Sequence, residues 1–394
     1  MQAIELSVST AHTTGTAKIS GYIEPGYDAL LNAFIKNFQV HGDVGAACAV
    51  YRHGKPVADL WGGFADAATQ KPWQENTIVL AFSAAKGPTA VCMNQLAEAG
   101  LLDIDLPIAH YWPEFGCNGK EQITTRQVLC HRAGLAAVEG NLTLEEVLAW
   151  DPVVAAIAAQ APNWEPGTAH GYHARSYGWI LGEVLKRITG KSIGAYIARN
   201  ISAPLGLSYW VGLPEHQLSR CATLLPPEGG SDAIAELLGA DSLTARVMSG
   251  PSGLFGYNEM WNRPELLMAE MPSSNGIGDA RSFARLYAAV MGEVDGVRLL
   301  GDDQLARACE PQAKGPDKVI FRDSCYGLGF MLQPLVAPEA GANSFGHQGA
   351  GGAVAFADPD ADISFAYVMN AMKFDLSGDP RSAELIKATY DCIT

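Results

Sequence analysis

The chain has 394 residues, close to half of them hydrophobic and 18% charged, which suits one large domain or two intimate ones around a sizeable core and excludes a disordered chain. Its net charge of −15 repels phosphate backbones and anionic lipid, so neither nucleic acid nor a membrane is an expected partner. No apolar run is long enough to span a bilayer, and Met1-Gln2-Ala3-Ile4-Glu5-Leu6 lacks a basic segment leading into an apolar one, so a cytoplasmic location is expected.

Residues 1–24, rich in Thr, Ser and Gly with no clear period, read as an N-terminal arm. Pro25 opens a helical run with Leu30, Leu31, Phe34, Ile35 and Phe38 on one side. Val44 to Gly63 reads as a hairpin, with an apolar strand Ala46 to Tyr51, a turn Arg52-His53-Gly54-Lys55 and a return from Val57 to Trp61. Helical patterns follow over Ala90–Ala99, Leu144–Ala159 (with Pro152 as a break), Tyr177–Ile188 and Ala280–Val290, and Gly100 and Gly190 stand where C-terminal caps belong. Residues 211–275 mix Pro, Gly and Ser with short apolar runs and suggest long, lid-like loops. A second hairpin runs from Gly352 to Ala357, turns at Asp358-Pro359-Asp360 and returns from Ile363 to Met369, before a last helix over Pro380 to Tyr390.

This order predicts an α/β (α+β) fold: one antiparallel sheet built from both chain ends and flanked by helices, with a mainly helical lobe inserted. The corresponding division is 25–80 with 320–394 for the sheet domain and 81–319 for the helical lobe. A cleft between the two is where a small molecule would bind.

The eight cysteines are scattered without a C-x-x-C pair and read as free, mostly buried thiols. H-E-x-x-H is absent, and His170 and His173, three apart, read as local polar side chains, so neither a metal nor another cofactor is expected.

Three segments carry chemistry. In Phe82-Ser83-Ala84-Ala85-Lys86-Gly87, Ser83 and Lys86 share one helix face, and this is the one S-x-x-K in the chain. A serine hydroxyl needs a base, and a lysine becomes one when apolar surroundings such as Val79, Leu80, Ala81 and Phe82 disfavour its ammonium. The plainer alternative is a serine N-cap followed by a solvated lysine. In Pro166-Gly167-Thr168-Ala169-His170-Gly171-Tyr172-His173-Ala174-Arg175-Ser176-Tyr177, a loop tyrosine precedes a helix, and such a tyrosine shuttles protons if a lysine cation lowers its pKa. Its alternative is a structural tyrosine at a helix entry. In Ser344-Phe345-Gly346-His347-Gln348-Gly349-Ala350-Gly351-Gly352, glycines beside a strand let backbone approach a ligand, or else form a bulge with a surface histidine.

In this order the three segments resemble the serine β-lactamase-like superfamily of class C β-lactamases and penicillin-binding proteins, and most of all the family VIII carboxylesterases. The likeness runs from about Ala46 to the C-terminal strands, with support from Leu101-Leu102-Asp103-Ile104-Asp105, Tyr111-Trp112-Pro113-Glu114-Phe115, Gln127 to Leu135, Asn275-Gly276-Ile277-Gly278 and Tyr326-Gly327-Leu328-Gly329. It implies Ser83 as nucleophile, Lys86 and Tyr172 as its proton-transfer partners, and the N–H groups of Ser83 and Ala350 as the oxyanion hole. His347, Gln348 and Gly349 stand where β-lactamases carry K-T-G and would contact substrate.

Three departures modify what it implies. Ala174 replaces the asparagine of the Y-x-N motif, and His347 replaces a lysine, which removes an amide and a fixed cation suited to β-lactams and peptides. Both changes favour neutral esters of small acyl groups, cleaved through an acyl-enzyme. Pro88, just after the lysine, cannot donate to the Ala84 carbonyl and is expected to distort the first turn. The alternatives on the same fold are a D-amino-acid peptidase or amidase, a weak β-lactamase and an acyltransferase. A catalytically silent binding protein would be expected to have lost Ser83, Lys86 or Tyr172. Gly190-Lys191-Ser192-Ile193-Gly194 also fits the G-x-S-x-G elbow, but a helical run precedes it where that elbow needs a strand.

Overall fold

The computed structural model describes residues 1–11, 16–227, 238–374 and 378–393. Its main sheet takes strands from both ends of the chain: β1 (Gln2–Ser9), β2 (Thr16–Ile23), β3 (Gly45–Arg52), β4 (Lys55–Asp66), β9 (Ala313–Pro316), β10 (Asp323–Tyr326), β11 (Met331–Leu332), β12 (Phe345–Gln348), β13 (Val354–Asp358) and β14 (Ile363–Met369). Their spatial order is β1-β2-β4-β3-β14-β13-β12-β11-β10-β9, every neighbouring pair antiparallel, and the short β5 (Lys71–Pro72) pairs with β4.

The two chain ends meet where β14 pairs with β3, Met369 opposite Ala46 and Ile363 opposite Arg52. Helices cover both faces there, so β3 and β14 are apolar and buried almost throughout instead of alternating. From one face Ser364 donates to the Ala284 carbonyl in the Ala280–Met291 helix at 2.7 Å. From the other, Tyr367 donates to Asp43, which also pairs with Arg381 of the Pro380–Asp391 helix at 3.1 Å. Residues 364 and 367 differ by an odd number, so they leave the strand on opposite sides. The β3–β4 turn has positive φ at His53 and Gly54, a pairing whose twist matches a two-residue hairpin.

The arm expected at the N-terminus is instead a hairpin on the sheet edge, with Gln2 opposite Ile23 and Ser9 opposite Thr16. A period of two was present: Ala17, Ile19 and Ile23 are buried while their neighbours are not, and Ile4, Leu6 and Val8 alternate on the partner strand. The first helix begins at Asp28, one turn after Pro25, because Pro25-Gly26 forms a turn. The 144–159 run is two helices, Leu144–Leu148 and Asp151–Ala159, parted by Trp150 at φ +71°, and Pro152 sits in the first turn of the second. Gly190 caps the Ser176–Thr189 helix in the left-handed region. The 211–275 segment holds a 3-10 turn over Glu215–Arg220 and helices Leu243–Ser249 and Pro264–Met268, and its residues 228–237 lie outside the described residues.

Three features position the site. The strand β6 (Val79–Leu80) pairs with β8 (Gly276–Gly278), which pairs with β7 (Tyr209–Val211), and so the backbone entering Ser83 is held in a small sheet of its own. A 3-10 turn over Phe82–Ala85 then feeds the Lys86–Glu98 helix, nearly all of which is buried. Because that helix begins at Lys86, the N–H that Pro88 lacks would have pointed outside it, and the proline fits the first turn without breaking it. Gly87 packs against Tyr287, whose hydroxyl would lie 2.0 Å from any Cβ added there.

Candidate active site

Ser83 is partly exposed, whereas Lys86 and Tyr172 are buried. The turn that presents the serine is strained: Phe82 has φ +45°, which an aromatic residue rarely adopts. Edge-to-face packing holds that ring, with Trp261 at 5.0 Å and Tyr257 at 5.7 Å between centroids. Both aromatics come from the 211–275 segment.

The Lys86 Nζ lies 3.1 Å from Ser83 Oγ, 2.7 Å from the Ala174 carbonyl and 3.0 Å from the Ser273 carbonyl. No carboxylate is among these contacts. Burial pushes the lysine well below its usual value, and the nearby Arg175 cation pushes it the same way. Nζ is placed to donate to all three oxygens, and on loss of one proton two N–H groups would remain for the carbonyls and a lone pair for the serine hydroxyl.

Tyr172 lies with its ring centroid 4.7 Å from that Nζ, and its hydroxyl is hydrogen-bonded with Ser83. Here the outcome differs from the expectation of a tyrosine lowered by a lysine cation. Burial raises its pKa, and the hydrogen bond to Ser83 and the Arg175 charge offset only part of that rise. Burial thus disfavours the charged form of both groups, the ammonium of Lys86 and the phenolate of Tyr172.

Gly349 brings the third segment onto the first. A Cβ on it would meet the Ala81 carbonyl at 2.1 Å, so this glycine lets the 349–350 backbone lie against the turn that carries Ser83. Ala350 opens the next 3-10 turn, Ala350–Gly352.

The sequence profile described as Beta-lactamase matches residues 31–388. The chain belongs to this family. It is 32% identical over 369 residues to the Esterase/beta-lactamase LipL of Mycobacterium tuberculosis, covering 90% of this chain and 83% of that one. Among solved structures it resembles a family VIII carboxylesterase (36% identity, TM-score 0.84, covering 95% of this chain and 99% of that one). It also resembles a penicillin-binding-protein homologue from Caulobacter crescentus (34% identity, TM-score 0.84, covering 95% and 99%).

In this β-lactamase-family chain, the segment around Tyr172 is set by residues that the sequence reading left aside. The buried Asp317 accepts three backbone N–H groups through Oδ1: Tyr172 at 3.0 Å, Val319 at 2.8 Å and Ile320 at 3.1 Å. Its Oδ2 accepts the hydroxyls of Ser324 and Tyr326, and Ser324 also bonds His170. His173 donates Nδ1–H to the Gly171 carbonyl, its Nε2 accepts from the Leu135 N–H, and its own N–H donates to His131 Nδ1. His170 and His173 therefore lie on irregular backbone, each bound to a different neighbour. Among the described residues no group of three or more His, Cys, Asp or Glu could hold a metal ion. Asp317 sits in a stretch with no motif, so only its burial and its five bonds identify it.

Replacing Asp317 by Ala strands several buried donors at about 1–3 kcal/mol each and is expected to destabilise the fold by roughly 3–5 kcal/mol. Through a loosened Tyr172, kcat is expected to fall on the order of 10- to 100-fold. Denaturant unfolding beside steady-state kinetics checks both, and Asp317→Asn, which keeps an oxygen for the backbone donors, should recover much of each.

Arg175 was also passed over. Its guanidinium is buried, donates to the Val247 and Met248 carbonyls, and stacks 4.7 Å from the Phe255 ring. Ser192, in the competing G-x-S-x-G match, caps the Ile193–Ile197 helix and donates to Glu270 at 2.7 Å. It follows a helix and its capping glycine, not a strand. The eight cysteines are free, four of them buried.

Proposed function

We propose that the protein is a carboxylesterase that cleaves small esters through an acyl-enzyme on Ser83. The observation that carries this reading is the Lys86 amine, 3.1 Å from Ser83 Oγ and deprived of any carboxylate partner. Lys86 takes the proton of Ser83 as the hydroxyl attacks the ester carbonyl. The Ser83 and Ala350 N–H groups receive the developing oxyanion. Tyr172, kept protonated by burial, passes a proton to the departing alkoxide, and Lys86 replenishes it. His347 and the Gly349 backbone line the substrate's path on the strand side, whereas the Gln348 side chain turns away to the Val336 carbonyl at 3.0 Å and leaves only its backbone to contact substrate, and the site sits between the sheet domain and the helical lobe.

The preference for esters over β-lactams rests on His347. Burial holds its imidazole down to about 3, so it is uncharged and offers a carboxylate no cation. The names of the relatives support the ester reading, LipL as an esterase/β-lactamase and one solved structure as a family VIII carboxylesterase. Among the described residues no helix is long and apolar enough to cross a membrane, and we place the enzyme in the cytoplasm.

The test is a comparison of kcat/KM for p-nitrophenyl butyrate and for a chromogenic cephalosporin. The ester is expected to be preferred by on the order of 10³-fold, since a missing charge partner and amide each cost roughly 2 kcal/mol. A cephalosporin turned over as well as the ester would transfer the assignment to β-lactam hydrolysis.

A further inference from the structure

The two ring nitrogens of His347 have different fates. Nδ1 lies 2.6 Å from the Gln348 carbonyl of its own chain, and a carbonyl only accepts, so Nδ1 carries the hydrogen. Nε2 is then an acceptor, and it is buried with no hydrogen-bond partner among the described residues. The residue itself is 1% exposed. Its ring lies beside that of Tyr172, with centroids 6.1 Å apart, whereas the next side chain on β12, Gln348, points the other way and donates to the Val336 carbonyl. The free lone pair therefore belongs to the reaction side of the strand. An acceptor left bare in a buried polar site is costly unless a reactant satisfies it.

The chemistry restricts which reactant can. An ester brings only acceptor atoms to its reacting centre. The species with a donor are the alcohol that leaves and the water, or second alcohol, that attacks the acyl-enzyme. We propose that His347 Nε2 accepts a hydrogen bond from this incoming water and so orients it for deacylation. The proposal rests on the acyl-enzyme reading of the site. In the step, the water oxygen bonds to the acyl carbon as one of its protons passes to the Lys86–Tyr172 pair. The bond from that carbon to Ser83 Oγ then breaks, and the proton returns to Ser83. The second water proton, held toward Nε2, stays on the released acid. His347 orients without taking the proton, because burial holds it as a neutral base.

The experiment follows a single turnover of p-nitrophenyl butyrate with enzyme in excess, reading nitrophenol for acylation and butyric acid for deacylation. Nitrophenoxide leaves without needing a proton. His347→Phe is expected to keep nitrophenol release within about twofold and to slow acid release on the order of tenfold, the loss of one oriented hydrogen bond. Butyryl-enzyme then accumulates. In steady state kcat and KM fall together while kcat/KM holds. His347→Gln, which places an amide near the Nε2 position, should restore part of the acid-release rate. Equal slowing of both releases would overturn the proposal and make His347 a support for Tyr172. Unchanged release of both would overturn it too. Failure of the wild type to form a butyryl adduct on Ser83 would instead remove the reading beneath it.

Discussion

Ser83→Ala is expected to lower kcat/KM for p-nitrophenyl acetate and butyrate by on the order of 10⁴-fold while leaving the fold intact. The size follows from the mechanism. Without the hydroxyl there is no covalent intermediate, and water must attack with help only from the oxyanion donors. The fold should survive because Ser83 is partly exposed and its polar partner Lys86 keeps the Ala174 and Ser273 carbonyls at 2.7 and 3.0 Å. Thermal unfolding of the variant within a few degrees of wild type, beside background turnover, is the combination expected. Retained turnover would place the nucleophile elsewhere, with Ser192 the first to examine.

Lys86→Met is expected to lower turnover on the order of 10³-fold, because the serine loses its base while the volume of the side chain is kept. It also carries a pH signature in stability. Burial lowers the folded pKa of Lys86 well below its unfolded value of about 10.4. Between the two values the unfolded chain binds a proton that the folded chain does not, so wild-type stability rises with pH in that window and levels above it. The variant lacks this contribution. Denaturant midpoints of the two proteins, measured from neutral pH to about 10, should therefore show the wild type gaining on Lys86→Met as pH rises. A constant difference would mean that Lys86 is charged in the folded protein, and the proton-transfer scheme would then need another base.

The parts of the site legible in the sequence were those with tight local spacing. Ser83 and Lys86 announce each other at three residues apart on one helix turn, and the glycines of 346–352 mark backbone that must approach a ligand. The hairpins 44–63 and 352–369 were legible because apolar runs flanked turn residues, and their pairing through β3 and β14 followed from the need to bury both. What escaped was built from long-range contacts. Asp317 reaches Tyr172 across 145 residues of chain. Tyr257 and Trp261 brace Phe82 from a segment whose sequence suggested only loops. Packing alone distinguishes Trp261 as the tryptophan that holds the nucleophile's turn. The first strands escaped for a different reason, since Glu5 and Ser7 separate Ile4, Leu6 and Val8, and Lys18, Ser20 and Tyr22 fall between Ala17, Ile19 and Ile23, in a stretch dominated by polar residues. The direction of the Tyr172 shift needed burial to be known, because a neighbouring lysine lowers a tyrosine only while it stays charged.

The most direct measurement is covalent labelling with a fluorophosphonate, followed by peptide mapping of the adduct. The account predicts one equivalent of label on the peptide that contains Ser83, its loss in Ser83→Ala, and protection by p-nitrophenyl butyrate. Label found on Ser192, or stoichiometric labelling that persists in Ser83→Ala, would contradict it.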